Sequence, residues 1–262
     1  MKRNLLRNTF FFLTYFGFSP LLNANQLFLN DIDWPPYLFP ESKHHLPGLG
    51  KEILNACLKK NNVRIQYLKL PVKRTHLYMQ NGELDISLYS YKKEREAFLV
   101  YGKVPVFTSE YGFAVRADSN INVTKVQDLN DLTIGHLAGL THTPEINELV
   151  QQKRLNGQLS TGNSIDAMFA QLLSSTPRFQ IMPNSKQTFY WRAASLGISD
   201  KIRVLDFTAD LKDYFVTVSK NSKNISDITV FLADIDKCIT NMRNNGTYDQ
   251  LLKKYHLKRL TH

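Results

Sequence analysis

The chain has 262 residues, of which 43% are hydrophobic and 21% are charged, with 12 glycines and 10 prolines. This composition excludes an intrinsically disordered or low-complexity chain, and the length is sufficient to bury a core without disulfides or metals. The 33 basic residues exceed the 23 acidic ones by 10, a surplus that could serve nucleic acid or an anionic membrane. The basic residues are interspersed with acidic ones, however, as in Lys92-Lys93-Glu94-Arg95-Glu96, so we expect no nucleic-acid partner.

The amino terminus has the pattern of a secretory signal peptide. A basic region that ends at Arg7 is followed by a Phe-rich apolar run from Phe10 to Phe18 and by the small residue Ala24. Because the run is too short to span a bilayer, we predict a signal peptide over residues 1–24, with a retained membrane anchor as the alternative. Removal of this segment leaves 30 basic and 23 acidic residues, which is a net charge of +7 on 238 residues. A signal peptide also predicts that the mature protein is periplasmic.

The hydrophobic pattern of the remaining chain alternates between strands and helices. In the first half it predicts strands at 27–32, 64–70 and 84–88, helices at 51–61 and 71–81, and an extended stretch at 104–115. From Asp128 it predicts strands at 132–137, 179–182, 202–205 and 214–218, and helices at 164–173, 186–196, 226–244 and 248–255. A further helix is predicted to begin at Thr143-Pro144-Glu145. The order predicts an α/β fold of two units that hinge on crossing strands, because no Gly/Ser linker separates them.

The two cysteines lie on apolar faces of predicted helices. Cys57 shares a helical face with Ile53 and Leu54, and Cys238 falls in a stripe with Ile235. Both thiols are therefore expected to point inward. Two interpretations stay open, namely two buried free thiols or a disulfide between the first and last long helices, which requires Cα atoms within about 7 Å.

Motifs for metals, cofactors and covalent catalysis are weak or missing. His44 and His45 are adjacent, and His136 and His142 flank a turn, but no cysteine or carboxylate accompanies them at a ligand spacing. We interpret them as solvated loop histidines and expect neither a metal nor a cofactor. The sequence also lacks a Gly-x-Ser-x-Gly nucleophile motif, a dinucleotide-binding glycine fingerprint and a Walker-type phosphate loop.

Three features are candidates for a ligand site. Arg95 follows a predicted sheet strand, where it can clamp a carboxylate, although a structural ion pair with Glu94 or a neighbouring carboxylate would explain it equally well. The segment Gly139-Leu140-Thr141 can offer backbone N–H groups and a hydroxyl to an anion at a helix N-terminus, or simply cap that helix. Trp34 and Tyr37 lie in a proline-stiffened loop and can either stack on a ligand or pack in the core.

Several short motifs run through the mature chain in a recognisable order. They are Trp34-Pro35-Pro36-Tyr37, Gly48, Pro71 with Arg74, Gly82-Glu83 with Asp85, Glu94-Arg95-Glu96, Asp128-Leu129, Ile134-Gly135, Gly139 with Thr141, and Asn245-Gly246-Thr247-Tyr248. In this order and spacing the chain resembles the family 3 bacterial extracellular solute-binding proteins. The resemblance implies a two-lobed periplasmic-binding-protein fold of type II with two hinge-crossing strands. We place lobe 1 at 25–108 and 209–262 and lobe 2 at 109–208.

The resemblance also implies roles for individual residues. Arg95 matches the family's carboxylate-binding arginine, Ser90 the upstream hydroxyl, Thr141 the residue at the helix N-terminus of the second lobe, and Trp34 the aromatic platform, with Tyr37 beside it. The family usually has Gly-Arg-x-Asp in the second lobe, whereas Pro177-Arg178-Phe179-Gln180 stands here. Gln180 would then replace the aspartate that receives the ligand's α-amino group. Since a neutral amide does not neutralise an ammonium, a standard α-amino acid becomes a less suitable ligand.

The function that the resemblance implies is capture of a small, carboxylate-bearing, amino-acid-like solute between the lobes. The expected partners are that solute and the membrane permease of an ABC importer or a sensor, and we expect a monomer. One alternative is an enzyme of the lyase or dehydratase kind on the same scaffold, with Glu41, Asp85 or Glu94 as acid/base groups, although no suitable pair of carboxylates stands out. Another alternative is a sensing protein that presents its ligand to a membrane receptor.

Overall fold

The computed structural model describes residues 26–40, 45–59 and 63–260. The predicted signal peptide, Glu41 and His44 lie outside these residues. The strands in the described chain are β1 (Gln26–Asn30), β2 (Arg64–Leu68), β3 (Ile86–Ser90), β4 (Leu99–Tyr101), β5 (Phe107–Arg116), β6 (Ile134–Leu137), β7 (Leu159–Gly162), β8 (Ile181–Ser185), β9 (Ile202–Val204) and β10 (Asp210–Ser219). The α-helices are α1 (Leu49–Lys59), α2 (Val72–Asn81), α3 (Pro144–Leu155), α4 (Ile165–Leu172), α5 (Lys186–Ser195), α6 (Ile228–Asn244) and α7 (Thr247–Lys254).

The helix boundaries follow the local signals in the sequence. Gly82 ends α2 in the left-handed conformation, with φ of 78°, which a residue without a Cβ adopts at little cost. Ser164 caps α4 by accepting a hydrogen bond from the backbone N–H of Ala167, and α3 begins at Pro144. Strand β7 was not predicted, because Leu-Ser-Thr-Gly has no apolar run. The predicted extended stretch at 104–115 begins only at Phe107, since Pro105 precedes the strand.

The strands form one continuous sheet with the order β2-β1-β3-β10-β5-β8-β6-β7, and β4 and β9 pair at its side with β10 and β5. Two strands in the middle of this order run from one half to the other. The first half of β5 pairs with the first half of β10, over 107–111 and 210–214. The rest of β5 pairs with β8 and the rest of β10 pairs with β3. These are the two crossing strands, and the α/β fold with two lobes is confirmed.

The hydrophobic residues divide into separate cores on the two sides of the crossing strands. One core combines β1, β3, α1, α6 and α7, and a smaller one lies beneath α2. On the other side, two cores cover the faces of β5, β6 and β8 with α3, α4 and α5. Each lobe therefore has its own core, although Leu140 and Trp191 of lobe 2 also pack against the core of lobe 1. The lobe bounds given above stay a prediction.

A disulfide joins Cys57 of α1 to Cys238 of α6, with the two Cα atoms 5.7 Å apart. Of the two interpretations that the sequence left open, the disulfide is therefore confirmed and the two buried free thiols are not. Both helices pack on the same core, so the bridge lies within one lobe and does not restrain the hinge. It links residues 181 positions apart and thus connects the two chain segments that build this lobe.

Replacing both cysteines with serine is expected to lower the free energy of unfolding by about 2–5 kcal/mol, because the cross-link restricts a long loop in the unfolded chain. Urea denaturation followed by circular dichroism measures the difference. As a control, dithiothreitol should destabilise the wild type by a similar amount and leave the C57S/C238S variant unchanged. Equal stability of both proteins under non-reducing conditions would contradict the prediction.

No helix among the described residues has the length and apolar composition that crossing a membrane requires.

Candidate ligand-binding cleft

Between the lobes, the crossing strands β5 and β10 share one mostly buried face, which also carries Phe107 and which we take as the floor of the candidate cleft. It carries Ser109 and Tyr111 from β5 and Asp210, Lys212 and Tyr214 from β10. Asp210 pairs with Tyr111 and Lys212 with Ser109, and because side chains alternate along a strand these five residues share one face. The hydroxyls of Tyr111 and Tyr214 share a hydrogen bond of 2.7 Å. The carboxyl ends of β3 and β6 approach this face from opposite lobes, as is typical of ligand sites in α/β sheets.

Arg95 lies at the lobe 1 side of the cleft, on the 3₁₀ turn Lys93–Ala97 that follows β3. The side chain is half-buried, and its Nη1 donates to the carbonyl of Ser90 at 3.1 Å. The guanidinium also lies over the ring of Tyr89, 4.6 Å from the ring centre. In the described part of the chain Arg95 forms no ion pair, so the structural pair with Glu94 is not made. Its charge is available to an anion.

Ser90 ends β3 next to Tyr214, its partner in the register with β10. The Ser90 carbonyl, which binds Arg95, also accepts a hydrogen bond from the hydroxyl of Tyr101 at 3.4 Å. Burial raises the pKa of Tyr214 to about 12, although hydrogen bonds with Tyr111 and Ser90 and the charge of Arg95 oppose the increase. Tyr214 is therefore protonated at neutral pH. Its hydroxyl, Ser90 and Arg95 together form a hydrogen-bonding wall suited to a carboxylate.

Thr141 lies in the loop after β6, on the lobe 2 side. The sequence predicts it at a helix N-terminus, but α3 begins at Pro144 and the capping residue is Thr143, whose hydroxyl accepts from the N–H of Ile146. Proline at the first helical position and threonine before it account for this start. Thr141 instead accepts a hydrogen bond on its backbone carbonyl from Nζ of Lys212, at 2.8 Å. The loop thus contacts the cleft floor without contributing a helix N-terminus there.

The aromatic candidates are divided between core and cleft. Tyr37 is only 1% exposed and stacks on Phe107 with ring centres 4.2 Å apart, so it belongs to the core. Burial raises its pKa far above the usual value, and its hydroxyl donates to Oε1 of Gln187 at 3.3 Å. Trp34 is only partly buried, and its ring centre lies 4.7 Å from that of Tyr214 on the cleft floor. Trp34 is therefore the aromatic residue beside the candidate site.

Gln180 lies away from the other candidates. It directly precedes β8, and its amide oxygen accepts from the backbone N–H and the hydroxyl of Thr133, at 3.0 and 3.2 Å. The other end of β8, Ser185, is the one that pairs with Tyr111 at the hinge. Five residues at about 3.3 Å each place Gln180 about 16 Å from that end. The structure therefore does not bring Gln180 to the cleft, since it lies at the amino ends of the parallel strands.

Replacing Gln180 with alanine is expected to change the affinity for the bound solute by less than about twofold, as for other surface substitutions. Isothermal titration calorimetry with the solute that binds the wild type most tightly measures this. Thr133→Val, which removes one donor to the same amide, is the matched control and should behave alike. If Gln180→Ala alone lowers the affinity for the solute tenfold or more, Gln180 contributes to the ligand site after all.

Helix α5 connects lobe 2 to lobe 1. The hydroxyl of Thr188 donates to the carbonyl of Pro35 at 2.7 Å, and Nε1 of Trp191 donates to the carbonyl of Tyr255 at 3.2 Å. Arg192 on the same helix forms an ion pair with the Asp33 carboxylate. These contacts join the Trp34 loop and the last helix of lobe 1 to lobe 2, so a change in the angle between the lobes must alter them.

The histidines and carboxylates that the sequence suggested for chemistry do not form a reactive group where the structure describes them, that is, apart from Glu41 and His44. Among the described residues, no three histidine, cysteine or acidic side chains are close enough to hold a metal, although the rings of His136 and His142 lie 5.4 Å apart. His45 is exposed. Asp85 is fully buried and its carboxylate accepts several hydrogen bonds, while Glu94 is exposed on the 3₁₀ turn. Neither carboxylate is placed for acid/base work on a bound solute.

Sequence reasoning missed the polar residues of the cleft floor. It predicted extended structure in β10 only from Tyr214 onward, and so left out Asp210 and Lys212. The usable signal was the alternation Asp210, Lys212, Tyr214, which puts three polar or aromatic side chains on one face of a strand. Which strand crosses between the lobes is a matter of long-range pairing, and no local pattern shows it.

The chain matches a known family and many solved folds. The family described as bacterial extracellular solute-binding proteins, family 3, matches residues 28–258. None of the curated proteins matches the sequence. A mutant of ArgBP from T. maritima has a similar structure, with a TM-score of 0.72, 17% identity, and coverage of 88% of this chain and 95% of that one.

Two further structures broaden the comparison. The substrate-binding protein of an amino acid ABC transporter has a TM-score of 0.69 and 21% identity, and the match covers 88% of this chain and 98% of that one. A histidine kinase sensor domain with similarity to periplasmic binding proteins has a TM-score of 0.70 and 13% identity, covering 89% and 96%. At these identities the likeness extends to the fold, which both a transport component and a sensor share.

Proposed function

Because the chain belongs to the bacterial extracellular solute-binding proteins of family 3, we propose that it captures a small carboxylate-bearing solute in the periplasm and delivers it to an ABC-type importer. The observation that carries the proposal is Arg95, a half-buried guanidinium without an ion pair in the described chain, next to Ser90 and the Tyr214 hydroxyl. A guanidinium in this position can bind a carboxylate through two parallel hydrogen bonds. Trp34 supplies an apolar surface beside it.

The proposed mechanism is closure of the two lobes on the solute. Arg95 and Ser90 stand on lobe 1, the Thr141 loop stands on lobe 2, and the crossing strands β5 and β10 form the floor between them. A solute that touches both walls binds the closed form better than the open one and so shifts the population toward closure. The permease would then recognise the closed form. The predicted signal peptide over residues 1–24 would bring the chain to the compartment where such importers collect their solutes.

The two tryptophans make closure measurable. The sequence contains two, and Trp34 lies at the cleft while Trp191 bonds Tyr255 across the lobes. We expect intrinsic fluorescence to change on titration with a panel of amino acids and organic acids. Trp34→Phe should remove the fluorescence change that reports contact with the solute. Trp191→Phe should remove the fluorescence change that reports closure of the lobes. Failure of the whole panel to alter fluorescence, melting temperature or titration heat would overturn the proposal.

A second candidate function is ligand presentation to a membrane sensor. The specific observation in its favour is the likeness of the fold to a histidine kinase sensor domain. The two candidates share the cleft and differ in the partner. Cross-linking of the solute-loaded protein in membranes of its own cells separates them, because transport requires capture of a permease and sensing requires capture of a receptor.

A further inference from the structure

We propose that the cleft contains a second anion-binding subsite, formed by Lys212 and His142 across the cleft floor from Arg95, and that the preferred solute carries two acidic groups. The inference rests on the proposed function and adds the class of ligand to it. It follows from a lysine with unused donor capacity, a buried imidazole nitrogen without a partner, and an excess of positive charge in the cleft.

Lys212 is the first part of the subsite. Its side chain is only 12% exposed, and its Nζ donates to the carbonyl of Thr141 at 2.8 Å and lies 3.3 Å from Oδ2 of Asp210. The same nitrogen is 4.8 Å from the centre of the Tyr111 ring. An ammonium group has three hydrogens to donate, so these two polar partners leave one N–H for a ligand. The strand register points this side chain to the face that also carries Tyr214.

His142 is the second part. It is 5% exposed, and its Nε2 has no hydrogen-bond partner in the described structure. Its ring lies at 81° to that of Tyr111, with ring centres 6.4 Å apart, so it borders the cleft floor. Burial and then the charges of His136 and Lys212 lower its pKa to about 3, and the imidazole is therefore neutral at physiological pH. A neutral imidazole can donate one N–H, and a buried polar nitrogen without a partner is costly unless a ligand or water satisfies it.

The charges of the cleft favour an anion over a zwitterion. Lys92 and Arg95 lie on the lobe 1 side and form no ion pair in the described chain, while Lys212 lies on the floor. Burial lowers the pKa of Lys212, its pairing with Asp210 opposes that decrease, and the charges of Lys92 and Arg95 add to it. Asp210 is the acid on the floor, and Lys212 already pairs with it. Two acidic groups on the solute would offset the remaining charge, whereas an ammonium would add to it.

A continuous set of contacts links the two subsites. Arg95 bonds Ser90, Ser90 pairs with Tyr214, Tyr214 shares a hydrogen bond with Tyr111, and the Tyr111 ring lies under Lys212. Both cationic ends therefore stand on one face of the hinge with two tyrosine side chains between them. The separation of the two ends sets the chain length of the best diacid, whose apolar middle would lie beside the tyrosine side chains.

The test compares probes that differ by one acidic or one ammonium group. Calorimetric titration of the wild type with the diacids from malonate to adipate, with pentanoate, and with L-glutamate gives each dissociation constant. We expect the best diacid to bind at least about tenfold more tightly than pentanoate, as hydrogen bonds to charged groups contribute. We also expect L-glutamate, which adds an ammonium to the five-carbon diacid, to bind more weakly than glutarate.

Variants assign the preference to the subsite. Lys212→Met and, separately, His142→Phe should reduce the diacid affinity toward that of pentanoate and leave pentanoate within about twofold, while Lys212→Arg should retain the preference. Lys201→Met, at an exposed lysine, is the matched control, and melting curves verify that each variant folds. Equal binding of diacid and monoacid in the wild type, or an undiminished preference in Lys212→Met, would overturn the subsite while leaving the proposed function intact. If no acid or amino acid binds the wild type, the proposed function itself fails.

Discussion

Replacing Arg95 with alanine is expected to weaken binding of a carboxylate-bearing solute by about a hundredfold, because a charge-assisted pair of hydrogen bonds in a partly desolvated cleft contributes about 2–3 kcal/mol. The substitution removes the guanidinium that donates to the Ser90 carbonyl and lies over the Tyr89 ring. It breaks no ion pair in the described part of the chain, because Arg95 forms none there. The loss should therefore fall on binding much more than on folding. Isothermal titration calorimetry and a melting curve on the same sample measure the two effects.

The control for this prediction is Arg178→Ala, because Arg178 is exposed and lies two residues before Gln180, ahead of the amino end of β8. It removes the same charge from the protein and should leave the affinity within about twofold. Arg95→Lys should recover only part of the affinity, since an ammonium cannot reproduce the bidentate geometry. If Arg95→Ala and Arg178→Ala bind the solute equally well, Arg95 has no role in recognition.

Replacing Asp85 with alanine is expected to lower the free energy of unfolding by about 3–5 kcal/mol, because it leaves several buried donors without an acceptor. The Asp85 side chain is fully buried and accepts from the backbone N–H of Phe28 at 2.8 Å, from the Ser222 hydroxyl at 2.6 Å and from the Asn224 amide at 3.0 Å. These bonds tie β1 and the loop after β10 to the start of β3. Chemical denaturation at neutral pH measures the loss.

Asp85→Asn is the matched variant, since it keeps the size and one acceptor oxygen but places an N–H₂ group against existing donors. It should lose roughly half as much stability as the alanine variant. Both variants should bind the solute normally at temperatures where they are folded. A folded Asp85→Ala variant of wild-type stability would show that the hydrogen bonds contribute nothing net, and an unimpaired fold with lost binding would give Asp85 a role in the site.

Local chemistry made much of the fold predictable. Gly82, Thr143-Pro144 and Ser164 mark helix ends by conformational and capping preferences that operate within a few residues, and the structure has helix ends at these places. The alternation of strands and helices predicted the α/β class for the same reason. The short strand β7 was not predicted, because most of its residues are polar or small and its pairing with β6 is what makes it a strand.

The site was less predictable, since it depends on contacts between distant parts of the chain. Arg95 could be selected because the segment after a strand lies at the edge where α/β proteins bind ligands, whereas Ser90 was selected through the family resemblance. Lys212 and His142 could not, because their approach depends on β10 running between the lobes and on the loop after β6 meeting it. Gln180 illustrates the opposite case, in which a motif position suggested a role and the strand direction placed the side chain at the other edge.

The arrangement of β10 also determines the order in which the protein can be completed during synthesis. Every strand of lobe 2, from β5 to β9, lies between Phe107 and Val204, so this lobe can assemble while the rest of the chain is still being made. Lobe 1 cannot assemble so early, because β3 pairs with β10 and Cys57 forms its disulfide with Cys238, which lies 181 residues further along the chain. Until the last helices have emerged, the apolar side chains of β1 and α1 have no complete core.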